Sequence, residues 1–451
     1  MRNTATEVMA GRGVEYRFQN VVSLSGFDKL NSGPTVLLNE LLASTSAAAL
    51  FTLRINRYEM LQSAFAGLSA DQLAAQIEDI LHESLRETDL AIHRQDDEFI
   101  VLLTDIATEK DIEEVAQRLI ASCAYLEVYE GYRIPCCIDI GMARYPVDSR
   151  TAEDLLRFSG IALHNISQTR QGTALFYTDH QQALHSRKVN MTGELLQAMQ
   201  DERIELHYQP IYCVDSDEMI ALEALVRMRT PEGGLVPPDQ FIETAEQTGL
   251  IIPLGNWIIN QACQQLATWH KAGARVTMSV NVSPVQLEDA SFLGNLKRAV
   301  ATSGLDYRYI ELEIIERQEV EPGIESVLTE LRRLGVSIAV DDFGTGYASL
   351  ANLARFPLDV VKVDQSFVRN MLDSVVSRSI VSAIFAMAAE LNIKVIAEGV
   401  ETREQEDYLR SLGCKVAQGF GYARPMQATV LDEAILRGKG KVNRELIALA
   451  V

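Results

Sequence analysis

No apolar run in this chain is long and clean enough to cross a bilayer. Its most hydrophobic stretches, such as Val375 to Ala389, are short or broken by polar residues, whereas a spanning helix needs about 20 consecutive apolar residues. Nor does a hydrophobic signal region follow Arg2 and Asn3, so a cytoplasmic protein without a membrane span is expected. There is no CxxC pair. The six cysteines, two of them adjacent at Cys136 and Cys137, form no regular framework and read as reduced thiols without disulfides. A long basic run is also missing, and the net charge of -21 would repel a polyanion, which argues against DNA as a partner. It does not argue against a small phosphate diester, because metal ions can sit between acidic side chains and such a substrate. Finally, the chain lacks the polar bias of disorder: 47% of it is hydrophobic and 23% charged, the profile of a folded globular protein.

At 451 residues two or three folding units are expected. Strand-like runs alternate with helical patterns on both sides of a more polar middle, which predicts α/β architecture in each half. The reading is an arm over 1–20, an α/β domain over 21–178, a connecting helix over 179–202, a second domain over 203–440 and a tail over 441–451. Within His180 to Gln200, polar residues surround Leu184, Val189, Met191, Leu195, Leu196 and Met199. That spacing suits an exposed connector, and equally the first helix of the second domain. Beyond residue 203, short apolar runs recur with helical segments between them: Val276 to Val282, Ile310 to Ile315, Val336 to Val340, Val360 to Val363 and Lys394 to Ala397. Such βα units predict a TIM-like parallel (β/α) barrel, whose chemistry gathers at the C-terminal ends of its strands.

Acids stand at those ends. Ser337-Ile-Ala-Val-Asp341-Asp342-Phe-Gly-Thr-Gly346 is an apolar strand closing on paired carboxylates, and a turn at its last residue can bring both to one mouth. Glu313 lies inside Ile310-Glu-Leu-Glu-Ile-Ile315, where an unpaired buried carboxylate costs several kcal/mol unless a cation joins it. Asn281 and Glu398 again follow apolar runs, and Lys362 is a cation within Val360-Val-Lys-Val363. One acid after a strand is more often a helix cap or a salt-bridge partner; recurrence on successive strands favours a site. Oxygen-only ligands favour magnesium or manganese over zinc.

Residues 202–438 resemble the EAL phosphodiesterase domain. The motif is literal at Glu223-Ala224-Leu225, with Tyr208-Gln209-Pro210-Ile211 before it and Arg227 after it. It continues through Asn281-Val-Ser-Pro284, Glu313-Ile-Ile-Glu316, Asp341-Asp-Phe-Gly-Thr-Gly-Tyr347, Lys362-Val-Asp364, Ala397-Glu-Gly-Val-Glu401 and Gln418-Gly419. The resemblance implies metal-dependent hydrolysis of cyclic di-GMP to linear pGpG. It implies one Mg²⁺ or Mn²⁺ on Glu223, Asn281, Glu313 and Asp341, and a second on Asp341, Asp342 and Glu398. Lys362 and Glu398 would serve catalysis, Glu316 would anchor the loop carrying the paired aspartates, and Gln209, Leu225, Arg227, Asp364 and Gln418 would contact substrate. Met228, Ile315 and Lys415 depart from the family pattern, and none of them removes a ligand. The alternative is a receptor that binds cyclic di-GMP without cleaving it. A carboxylate-pair glycosidase on the same fold would need no metal, which the Asn281 and Asp341-Asp342 arrangement disfavours.

Residues 21–178 resemble a GGDEF diguanylate cyclase domain, with Leu24-Ser-Gly-Phe27 near its start and Asp139-Ile-Gly-Met-Ala-Arg-Tyr-Pro146 near its end. The name-giving turn is degenerate, Gln95-Asp96-Asp97-Glu98-Phe99, and has lost the glycines that permit a tight turn and close phosphate approach. The expected metal aspartate falls at Arg54 or Asn56, and Lys is absent near Ser167. Loss of cyclase activity and a regulatory role are therefore expected, with homodimerisation. Arg86-Glu-Thr-Asp89 matches the family's RxxD inhibitory site, so Arg86 and Asp89 are candidates to hold GTP or cyclic di-GMP; the plainer reading is a surface pair at a helix end.

Overall fold

The computed structural model describes residues 21–23, 33–56, 58, 70–95, 97–106, 108–128, 132–166, 172–315, 323–345 and 357–450. The arm over 1–20, Leu24 to Phe27, Asp96, Glu316, Gly346, Tyr347 and Ser167 lie outside them. The chain forms two compact units, Met1–Lys188 and Val189–Val451. The boundary falls inside the helix Asp179–Gln200. Among the described residues no helix is long and apolar enough to cross a membrane.

The first unit is built on β1 (Val21–Ser23), β2 (Ala48–Ile55), β3 (Leu90–Gln95), β4 (Glu98–Thr104), β7 (Ile138–Tyr145) and β8 (Ala174–Phe176), in the sheet order β1-β3-β4-β2-β7-β8. A separate hairpin pairs β5 (Tyr125–Val128) with β6 (Tyr132–Pro135). Because successive side chains on a strand point to opposite faces, β2 sends Phe51 and Leu53 into one core and Leu50 into another. Burial on both faces explains why Ala48–Ile55 reads as a nearly continuous apolar run.

The second unit is a closed barrel. Its eight strands are β9 (Ile204–Cys213), β10 (Met219–Arg229), β12 (Thr277–Asn281), β13 (Ile310–Ile315), β14 (Ser337–Phe343), β15 (Val360–Val363), β16 (Lys394–Ala397) and β17 (Val416–Ala417). Each pairs with the next, and β9 pairs with both β10 and β17 to shut the ring. The short β11 (Leu235–Val236) and β18 (Met426–Gln427) add to β10 and β9. The sequence predicted an all-parallel ring, but β9 runs antiparallel to both neighbours. Only residues 214–218 separate β9 from β10, a turn short enough for a hairpin, whereas a parallel step needs a crossover of a dozen residues or more. The strands facing the helices fill the core with Met278, Val280, Leu312, Ile338, Val361 and Val363, all nearly free of solvent contact.

The segment read as a tail packs onto the barrel instead of trailing from it. Val442 and Ile447 are buried, Asn443 bridges to Glu218, and the Arg444 guanidinium lies over the Tyr422 ring and pairs with Glu406.

Candidate active site

Strand alternation aims one set of residues from every barrel strand into a common mouth. These are Gln209 of β9, Glu223 of β10, Asn281 of β12, Glu313 of β13, Asp341 of β14 and Lys362 of β15, with Glu398 and Gln418 just beyond the ends of β16 and β17. Two residues deeper on the same strands lie Ile211, Ala221, Ser279, Glu311, Ala339, Val360, Ile396 and Val416. Six of these are apolar and pack together as a floor. Glycine fixes the last of the mouth residues: a Cβ at Gly419 would meet the Val400 carbonyl oxygen at 2.2 Å, so only glycine lets the chain after Gln418 pass so close.

The paired aspartates reach one mouth through a break in the ladder. The register of β14 against β15 shifts between Val340 and Phe343, and Asp342 adopts φ 55, a left-handed backbone uncommon outside glycine. The Asp342 amide donates to Asp341 Oδ1 at 3.0 Å. Gly344 follows at φ 101, where an added Cβ would also touch Phe367 at 3.0 Å. A regular strand would have turned one of the two acids into the wall; the bulge keeps both at the rim.

At the centre stands Lys362, fully buried. Its Nζ lies 2.7 Å from Glu398 Oε1, 2.8 Å from Glu313 Oε2, 3.3 Å from Glu223 Oε2 and 3.4 Å from Asp341 Oδ1. Glu223 also accepts from Asn281 Nδ2 at 2.8 Å and from Gln418 Nε2 at 2.7 Å. Gln418 Nε2 lies 3.0 Å from Gln209 Oε1, and Gln209 Nε2 donates to the Ala423 carbonyl at 3.1 Å. Two carboxylate groups have ligand atoms close enough to share an ion: Glu223, Glu313 and Asp341, and Asp341, Asp342 and Glu398. Asp341 belongs to both.

Burial penalises every charge here, and the balance differs by residue. Desolvation alone would push the Lys362 ammonium down, but Glu223, Glu313, Glu398 and Asp341 outweigh it and hold it well above its ordinary value. Desolvation pushes Glu223 up, yet Lys362 and the bonds from Gln418 and Asn281 bring it below the usual range. Glu313 is held well above by desolvation and by the neighbouring Glu223 charge, against the pull of Lys362. Glu398 is raised from 4.5 to about 8 by desolvation, again against Lys362. Four acids crowd one ammonium, so the cluster carries net negative charge when all are ionised, the setting in which divalent cations are held. The all-oxygen donor set suits Mg²⁺ or Mn²⁺.

A pH dependence follows. A carboxyl whose folded-state value is raised stabilises the fold below its ordinary value, and that contribution is lost as pH climbs to the raised value. With a chelator present, the melting temperature of the barrel is therefore expected to fall as pH rises from about 4.5 to about 8, the interval spanned by Glu398. Adding Mn²⁺ at the upper end should reverse the fall, because bound cations favour the ionised acids. A melting temperature that is flat across this interval would contradict the assignment.

Two family profiles match the chain: one described as an EAL domain over residues 192–425, and one described as diguanylate cyclase, GGDEF domain, over residues 35–173. The chain belongs to the EAL family. A cyclic di-GMP phosphodiesterase, NbdA of Pseudomonas aeruginosa, is 36% identical over 85% of this chain and 49% of its own length. A second, PdeR of Escherichia coli, is 30% identical over 95% of this chain and 66% of its own. The chain thus spans about half to two thirds of these curated relatives. Among solved structures, the PaMucR phosphodiesterase in complex with c-di-GMP is 37% identical, with TM-score 0.52 over 54% of this chain and 99% of that one. The EAL enzyme Bd1971, bound to cAMP and cyclic di-GMP, is 34% identical, with TM-score 0.54 over 56% of this chain and 70% of that one.

The remaining EAL residues predicted to touch substrate take varied places. Leu225 and Arg227 are half-buried on the same face of β10 as Glu223, and Arg227 Nη1 donates to the Val226 carbonyl at 2.8 Å. Asp364 is buried as the N-cap of the helix Gln365–Asn370, accepting from the Ser366 amide at 3.0 Å. Sequence reading missed Ser279 and Glu311. Their signal was present: each sits two residues before a named ligand, on the same face of its strand.

In the GGDEF domain, Arg54 of β2 stands directly opposite Glu98 of β4. Arg94 donates to Glu98 Oε1 at 2.7 Å, and Arg54 approaches Oε2 at 3.8 Å. Two guanidinium groups therefore flank this acid, one of them from Arg54, a position where the GGDEF pattern expects a metal aspartate. Asp89 of the RxxD motif uses one oxygen to accept from the Arg86 amide at 2.9 Å and the other to accept from the Thr104 amide at 3.1 Å. It is buried, and Arg86 is exposed, so these four residues form a turn clasped by Asp89. GTP incubated with the purified protein and Mg²⁺ is expected to give no cyclic di-GMP on chromatography. Product that disappears in Glu98→Ala would overturn this reading.

Proposed function

We propose that the barrel hydrolyses cyclic di-GMP to linear pGpG with two divalent cations, Mg²⁺ or Mn²⁺, and that the GGDEF domain regulates it. The observation that carries this is the ring of four carboxylates on Lys362, with Asp341 common to both ligand groups. The names of the relatives NbdA and PdeR support the substrate, as does the cyclic di-GMP bound in the PaMucR structure. Glu223, Asn281, Glu313 and Asp341 would hold one cation, and Asp341, Asp342 and Glu398 the other. Bound there, such ions supply activation of water and neutralisation of phosphoryl charge.

The chain's own residues do the rest. Lys362, locked in place by its acids, keeps a fixed positive charge beside the reacting phosphodiester without reorganising as charge develops. Gln209 and Gln418 hold each other and Glu223 in position, so the mouth is set before substrate arrives. Water supplies a hydroxyl to phosphorus and a proton to the departing 3′ oxygen; one P–O bond forms and one breaks, opening the ring. The test is direct: cyclic di-GMP with Mg²⁺, Mn²⁺ or chelator, and separation of the products. Release of pGpG only with metal supports the reading, and tight binding without product would make the protein a receptor.

Regulation rests on the retained GGDEF fold without its metal aspartate. A truncated chain beginning at Val189 is expected to differ from the full chain in specific activity. Equal rate, affinity and oligomeric state for both, with GTP and cyclic di-GMP each tried as effector, would end the regulatory proposal.

A further inference from the structure

Beneath the mouth, the inward-facing layer is apolar on six strands and polar on two. The six are Ile211, Ala221, Ala339, Val360, Ile396 and Val416, packed as one cluster. The exceptions are Ser279 on β12 and Glu311 on β13, cross-strand partners by register, 0% and 7% exposed respectively. An apolar side chain would fill this layer as well as it does elsewhere, and a buried carboxylate is costly to keep. Packing therefore does not account for the pair.

Hydrogen bonding does. Ser279 Oγ lies 2.5 Å from Glu313 Oε1 and 3.1 Å from Glu311 Oε1, so the hydroxyl stands between the two carboxyl groups, and its single proton goes to the nearer Glu313. The far oxygen of Glu311 accepts from Ser337 Oγ at 3.0 Å, and Ser337 is its cross-strand partner on β14. The arrangement runs from Ser337 through Glu311 and Ser279 to one oxygen of Glu313, while Lys362 holds the other oxygen at 2.8 Å. Both oxygens of the fully buried ligand Glu313 are thus held before any ion arrives.

We propose that Ser279 and Glu311 are positioning residues that set the Glu313 carboxylate for its cation. This inference rests on the metal reading given above. Partners that orient a ligand in this way are worth about 10- to 100-fold in metal affinity when removed.

Calorimetric titration of the full chain with Mn²⁺, beside melting in chelator, tests it. Ser279→Ala is expected to weaken binding at the site that includes Glu313 by about 10- to 100-fold while leaving the metal-free melting temperature near that of the unaltered chain. Glu311→Leu is expected to weaken binding similarly. Glu311→Gln, which can still bond both serines, is expected to restore affinity to within a few-fold. Substrate KM at saturating Mn²⁺ should be unchanged in all three. If Ser279→Ala and Glu311→Leu lower the metal-free melting temperature but bind Mn²⁺ as tightly as the unaltered chain, the pair is structural and the inference is wrong. If the unaltered chain binds no Mn²⁺, the metal reading itself fails and takes this inference with it.

Discussion

Replacing Lys362 by methionine is expected to lower cyclic di-GMP turnover by about 10²- to 10³-fold, the range seen when one preorganised electrostatic group is removed from an active site. The same variant is expected to lose about 3–5 kcal/mol of stability in chelator, because breaking a buried ion cluster leaves uncompensated charge behind. The cluster here is unusually one-sided, with four carboxylates within 3.4 Å of a single ammonium. Mn²⁺ should recover much of the stability, since cations can replace the lost charge, but should not recover the rate. Denaturant melts with and without Mn²⁺, run beside the turnover assay, separate the two effects. Wild-type turnover in this variant would mean that the chemistry lies elsewhere.

The second large effect belongs to Asp341. It is the one residue common to both carboxylate groups, so Asp341→Asn is expected to reduce Mn²⁺ stoichiometry at both positions and to cut turnover by more than about 10³-fold, beyond the loss of one donor. Glu398→Gln touches only one group and is expected to spare binding at the other. Calorimetry reads the stoichiometries directly. If Asp341→Asn and Glu398→Gln lost the same single ion, the shared-ligand arrangement would be refuted.

Much of the barrel was legible because the sequence wrote its strands as short apolar runs ending in polar residues. The runs at Ile310 to Ile315, Val360 to Val363 and Lys394 to Ala397 coincide with β13, β15 and β16. The direction of β9 was not legible, since it depends on a five-residue turn and not on the strand's own composition. Asp364 and Asp89 show a different limit. An acid in a motif looks the same whether it meets a ligand or caps a turn, and here both accept from nearby backbone amides. Glu311 was passed over for the opposite reason: it matches no quoted motif position, and although its spacing from Glu313 puts it on the same face, the groups across from it on β12 and β14 decide what it bonds.

By itself, the sequence determined which side chains share a face, because alternation along a strand is a local property of the backbone. It therefore determined that Glu311 and Glu313 point the same way and that Asp341, Lys362 and Glu398 stand at strand ends. Which of these meet was decided only by the closed ring. Lys362 and Glu223 are 139 residues apart in the chain, and no local preference brings them to 3.3 Å. Barrel closure and strand register do so. They also decide the charge state, since an ammonium and a carboxylate that are ordinary in water become mutually dependent once burial removes the solvent that would otherwise stabilise each alone.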